Sequence, residues 1–176
     1  VKSFGWNLWK GNNELSQVEG YEYLLDKNFS KLYSDLKQIK RDKYYEINRD
    51  GFFLNKAITN IKEDPKRYII LVSKKFVSYF FIDINSSYPN YYNLFHIVPI
   101  LILSLLAFPG LFVFYRQNKF QNNSLILYLL CNLVIFSIFF ILPRYKLIIL
   151  PIQIILAASF LNYILKKIKK KSKGNI

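Results

Sequence analysis

Three apolar runs without a single Asp, Glu, Lys or Arg, namely Leu94–Tyr115, Leu125–Leu142 and Leu147–Leu165, limit what this chain can fold into more than any other feature. They are 22, 18 and 19 residues long. At a rise of ~1.5 Å per residue they make helices of roughly 27–33 Å, matching a hydrocarbon core of about 30 Å. In lipid the backbone must pair its own N–H and C=O groups, and these runs lack the alternation of a barrel strand, so helix is the form they dictate. A water-soluble core helix would account for the 18-residue run alone, but not for three runs in series. The expected fold class is an all-α membrane protein with about three transmembrane helices.

Charge divides the chain in two. The formal net charge is +14, of which residues 94–176 carry +10 with no acid at all, and residues 1–93 carry +4 with all 11 Asp and Glu. Six of the ten later cations, Lys166, Lys167, Lys169, Lys170, Lys171 and Lys173, follow the last apolar run directly. A polybasic tail against a transmembrane helix is a topology signal facing anionic lipid, so no nucleic-acid partner is expected. The loop Arg116–Ser124 and the break Pro143–Lys146 each carry two cations, and the tail decides between them. Residues 166–176 are expected in the cytoplasm, Arg144 at the outer face, and residues 1–93 outside, in a bacterial plasma membrane. The chain has no methionine and opens on Val1, so it is expected to be the tail of a longer protein, with a valine-reading start codon as the alternative.

Residues 1–68 are expected to form a small helical extracytoplasmic segment. Leu25, Phe29, Leu32, Leu36 and Ile39 recur at helical spacing, which predicts a helix from about Leu24 to Arg41. Leu54, Ala57, Ile58 and Ile61 make a second apolar face that ends before Pro65. So few apolar faces make a marginal core, so these helices are expected to pack on the membrane portion or on further chain. Residues 69–93 are expected to be an interfacial helix and loop, because Lys74-Lys75 interrupts the apolar pattern and both lysines can snorkel toward phosphates. A short transmembrane helix is the alternative. Pro99 and the pair Pro109-Gly110 predict a kinked first span.

Little in the chain has the chemistry of a self-contained active site. One His, one Cys and no acid after Asp83 leave no converging metal ligands. Neither a phosphate loop nor a nucleophile motif occurs. Three features remain. Arg144, beside Tyr145, holds a planar fork of donors at the mouth of a helical hairpin, suited to a lipid phosphate or, alternatively, to anchoring the helices at one depth. The stretch from Gly5 to Asn13 is read as an aromatic turn in which Trp6, Asn7, Trp9, Asn12 and Asn13 suit sugar or headgroup contact, or simply an interfacial position. Glu14, Glu19, Glu22, Glu46 and Asp50 include candidates for a general base, though solvated helix faces explain most acids.

The order of these features resembles the C-terminal part of polytopic GT-C glycosyltransferases. An opening G-x-N-L-W-x-G-N-N comes first, then outer helices, a helix ending at Pro65, a lysine-bearing interfacial helix, and a late Pro143-Arg144-Tyr145 followed by Leu150-Pro151. It is most similar to the family 39 and protein-mannosyltransferase-like branch, related to lipid A aminoarabinose transferases, from Phe4 to Leu165. The resemblance implies transfer of a sugar from a polyprenyl-phosphate carrier to a lipid, glycan or protein acceptor at the outer membrane face. Arg144 would neutralise the carrier phosphate, Tyr145 would support it, and Trp6 to Asn13 would line the outer cavity. It implies no cofactor, and leaves a divalent metal open. The family's catalytic aspartate lies in its first outer loop, which this chain does not contain, so further chain upstream is an implied partner and this polypeptide alone is expected to be inactive. A noncatalytic polytopic subunit, or a lipid-linked glycan flippase or polymerase, remains the alternative.

Overall fold

The computed structural model describes residues 3–19, 29–83, 86, 93–116, 120–139 and 141–173, with the backbone alone at 120–122. Every regular element among them is helical. In chain order these are α1 (Phe4–Asn12), α2 (Ser30–Lys37), α3 (Tyr45–Glu63), α4 (Pro65–Phe80), α5 (Leu94–Arg116), α6 (Phe120–Ile138), a 3-10 turn (Pro143–Ile148) and α7 (Leu150–Lys173).

Several helix boundaries have local causes. Asp64 caps α4, its carboxylate accepting the Arg67 N–H at 2.9 Å, and Pro65 supplies a pre-set φ in the first turn. Pro65 also stops α3 at Glu63. In α2 the described part of the expected helix runs from Ser30 to Lys37 with Phe29 and Leu32 buried; its start near Leu24 lies outside the described residues. On α3 the buried stripe is Phe53 and Ala57, spaced by one turn, while Ile58 of the expected face is exposed.

Two apolar cores result. Leu8 and Trp9 of α1 close on Phe53 and Ala57 of α3 and on Phe29 and Leu32, with Ile138 and Phe139 at the end of α6 packed against them. The α1–α3 cluster thus leans on the end of α6. The second core joins α4, α5, α6 and α7 through Tyr79, Phe80, Ala107, Leu129, Leu133, Ile149, Ile152 and Leu156.

Two helices among the described residues are long and apolar enough to cross a membrane, Leu94–Arg116 and Leu150–Ser172. The middle run was expected to span as well, but its apolar described part is shorter, Asn123–Ile138. Its last residues leave the helix after Ile138, where Phe139 turns its carbonyl to a side chain of α4. The third run also starts later than expected. Leu147 and Ile148 belong to the 3-10 turn, α7 begins at Leu150 with Pro151 in its first turn, and the helix runs on through the lysines to Lys173. α5 passes through both Pro99 and Pro109 as one helix.

α5 and α7 touch backbone to backbone at Gly110. A Cβ there would lie 2.0 Å from the Leu156 carbonyl oxygen, whereas one at Gly51 on α3 would meet nothing within 4 Å. Gly110→Leu is therefore expected to cost at least ~1–3 kcal/mol of stability through overpacking. Gly51→Ala should instead raise stability by roughly 0.5–1 kcal/mol, because it removes backbone freedom from the unfolded chain in a helix interior. Thermal unfolding in micelles, followed by Trp6 and Trp9 fluorescence, checks both signs.

Candidate functional site at the hairpin mouth

The break between the second and third apolar runs folds with a period of three. Leu142 is extended, as the residue before a proline prefers, and Pro143 then starts the 3-10 turn. Side chains three apart eclipse in such a turn. Pro143, Lys146 and Ile149 accordingly face inward and are buried, while Arg144 and Leu147 face outward and are exposed. The guanidinium of Arg144 sits 5.7 Å from the centroid of the Tyr145 ring, so the two expected partners do lie together. Tyr145 is half-buried, packs on Phe136 at 5.1 Å, and its carbonyl accepts the Tyr79 hydroxyl at 2.9 Å.

The inward cation is the one that sequence reasoning passed over. Lys146 pairs with Glu19 at 2.9 Å, both largely out of solvent. Burial pushes the Lys146 ammonium below the usual lysine range, opposed by the charge and hydrogen bond of Glu19 and by the charge of Asp83. Glu19 also accepts from the Ser86 hydroxyl at 2.6 Å. Among the candidate bases it is thus committed to an ion pair, and Asp50 is committed to the backbone N–H of Trp6 at 3.1 Å. Beside Lys146 lies a cavity of about 210 Å³, walled by Tyr79, Phe80, Phe95, His96, Pro99 and Leu147.

The Trp6–Asn13 stretch corrects the expectation of a turn lining an outer cavity. It is α1, a helix up to Asn12, and most of its named side chains hold the fold. Trp9 is 1% exposed, stacked on Trp6 at 5.4 Å and against Phe29 and Phe53. Asn12 donates to the Leu8 and Ile138 carbonyls, both at 2.8 Å, and its buried Oδ1 has no partner. Asn13 donates to the Trp9 and Lys10 carbonyls, while its Oδ1 accepts from Leu15 N–H and its own N–H donates to Ser16. Asn7 is half-buried and contacts Ser3. Trp6 keeps a half-open face, flanked by Lys10 at 5.2 Å and Arg49 at 5.7 Å.

Lys75 also departs from expectation. Rather than snorkelling, it is fully buried and donates to the carbonyls of Gly11 at 2.6 Å and Phe139 at 2.8 Å; Lys74 beside it is exposed. These carbonyls belong to the ends of α1 and α6, where the last C=O groups lack helical partners. Lysine spacing alone could not reveal this, because Lys74 and Lys75 differ only by 100° of helical rotation. Gly11 has no side chain because the Phe139 carbonyl would stand 2.3 Å from its Cβ.

No family model, curated protein or solved structure matches this chain.

Burial, with the charge of Arg67, lowers Lys75 from 10.5 to about 7. From about 7 to 10 the unfolded chain holds a proton that the folded chain does not, so stability should rise with pH across that window. Above 10 the half-buried Tyr68 and the buried Tyr79, both raised by burial, act in the opposite direction, since the unfolded tyrosines lose protons first. Lys75→Met should flatten the rise below 10, leaving the part due to Lys146. Chemical denaturation at several pH values measures the slope.

Proposed function

We propose that this chain is the C-terminal part of an integral-membrane glycosyltransferase of the GT-C type, in the family 39 and protein-mannosyltransferase-like branch. It would move a sugar from a polyprenyl-phosphate carrier to a lipid, glycan or protein acceptor at the outer face of a bacterial plasma membrane. The membrane part of the reading is supported by the outward surfaces of α5, α6 and α7. Phe95 is 92% exposed, Leu105 56% and Leu127 62%, a spread of large apolar side chains that lipid would cover and water would not favour. The six-lysine end of α7 supports a cytoplasmic C-terminus and an outer Pro143–Ile148 turn; counting α6 as a third, shorter crossing then puts residues 1–93 outside as well.

The observation that carries the reading is the outward Arg144. Its guanidinium projects from the turn between two apolar helices while Lys146, two residues on, is turned inward and paired. An exposed planar fork at that level suits a carrier phosphate becoming a leaving group, and charge placed in advance beside low-dielectric lipid stabilises it most where the charge develops. Tyr145 limits the swing of the guanidinium by lying under it. Trp6, half-buried with Lys10 and Arg49 over its ring, is the residue of this stretch left for a sugar or headgroup at its exposed edge. The burial of Trp9, Asn12 and Asn13 favours a second reading, a noncatalytic membrane subunit in which α1 only braces the hairpin.

Arg144→Lys in the complete protein separates the two. Arg144 is exposed and lies against the Tyr145 ring, so expression should persist. Transfer from a polyprenyl-phosphate sugar should fall by roughly 10- to 100-fold, the rate equivalent of about 1.5–3 kcal/mol for a charged hydrogen bond. Unchanged turnover would reduce Arg144 to a depth anchor.

A further inference from the structure

One face of α4 remains outside the site described so far. Arg67, Ile70, Lys74 and Val77 recur at steps of three and four, with Ser78 one turn after Lys74, and line an open groove of about 900 Å³ that the 16–18 segment also lines. The groove is larger than a free anion requires, and its floor and rim are mixed: Leu71 and Ile82 are buried, Ile70 and Val77 are about half exposed. Ser78 lies among them at 4% exposure, and its Oγ has no hydrogen-bond partner. A helical serine ordinarily settles its hydroxyl on the carbonyl one turn back, and a buried hydroxyl left unpaired is costly, so this one awaits an acceptor.

Charge selects the acceptor's chemistry. Arg67 donates to the carbonyls of Asn13, Glu14 and Ser16, which fix its guanidinium without cancelling its charge. Lys74 is an exposed cation one turn before Ser78, about 6 Å along the helix axis. Asp83, a carboxylate at one end of the lining, also lies near enough to Lys146 for its charge to raise that ammonium's pKa.

The geometry points to a binding groove for an anionic phospholipid, whose phosphate meets Lys74 and Arg67, whose ester or glycerol oxygen accepts from Ser78, and whose chain covers Val77 and Ile82. This rests on the membrane reading above but not on the transfer reaction. A lipid is preferred to free phosphate because the unpaired hydroxyl and the cations are joined by an apolar strip.

The test reconstitutes the full chain in phosphatidylcholine nanodiscs containing phosphatidylglycerol, extracts it in mild detergent and counts retained lipid by native mass spectrometry. Phosphatidylglycerol should be retained over phosphatidylcholine. Lys74→Gln should weaken retention roughly fivefold, the worth of one lysine at an anionic surface. Ser78→Ala should weaken it with charge unchanged, and Lys62→Gln on α3 should leave it alone. Equal retention of both lipids, an equal effect of Lys62→Gln, or release by millimolar inorganic phosphate would overturn the groove as a lipid site. If Ser78→Ala does not fold, Lys74→Gln against Lys62→Gln decides. Failure of the chain to enter bilayers would overturn the membrane reading itself, a different outcome from entering without retaining phosphatidylglycerol.

Discussion

Side-chain donors on the carbonyls that helices leave unpaired at their ends are what the rest of this structure depends on. Lys75 joins Gly11 at the end of α1 to Phe139 just beyond α6. Asn12 reaches the Ile138 carbonyl, so the C-terminus of α6 is closed from two directions. At the end of α4 the Phe80 carbonyl accepts from Ser104 of α5 at 3.0 Å and Gln153 of α7 at 2.6 Å. Buried carbonyls without partners are costly, and in a low-dielectric setting each such bond is correspondingly stronger.

These bonds explain how two cores become one framework. Apolar packing is non-directional and would let the α1–α3 unit slide over the hairpin. Lys75, Asn12 and the Glu19–Lys146 pair fix its register, because each donor reaches a specific carbonyl or carboxylate on a distant element. The Glu19–Lys146 pair itself adds little net stability once the desolvation of both ions is counted, yet removing one partner would strand the other. Its structural consequence is position: it draws the 3-10 turn against the segment before α2.

The apolar runs were legible because long uncharged stretches have one form, and Pro65 announced both the end of α3 and the start of α4. What escaped the sequence was the partner of each polar residue. The glycines and asparagines of Gly5–Asn13 have the composition of a turn, but tertiary contacts override weak helix propensity there: Gly11 permits the approach of Phe139 and Asn12 caps α6. Lys75 carried no mark distinguishing it from Lys74, and the long-range acceptors Gly11 and Phe139 lie 64 residues away on either side. Glu19 and Lys146 are farther apart still, and neither periodicity nor spacing links them. The Arg144–Tyr145 neighbourhood was readable because adjacency in sequence is already proximity.

The contrast between Arg144 and Lys146 follows from turn geometry more than from residue type. Had the chain continued as an α-helix through the break, residues 143, 146 and 149 would drift by about 60° at each step and fan over about 120° rather than stay in line. The 3-10 winding that Pro143 starts holds them in line, so burial of Pro143 and Ile149 carries Lys146 inward with them and turns residue 144 out. An inward lysine then requires a counter-charge, which Glu19 provides from 127 residues earlier, and the outward arginine is left with Tyr145 beneath it. A two-residue insertion directly after Pro143 would exchange the two roles, carrying the guanidinium to the inward position and the amine to an exposed one, even with every side chain retained.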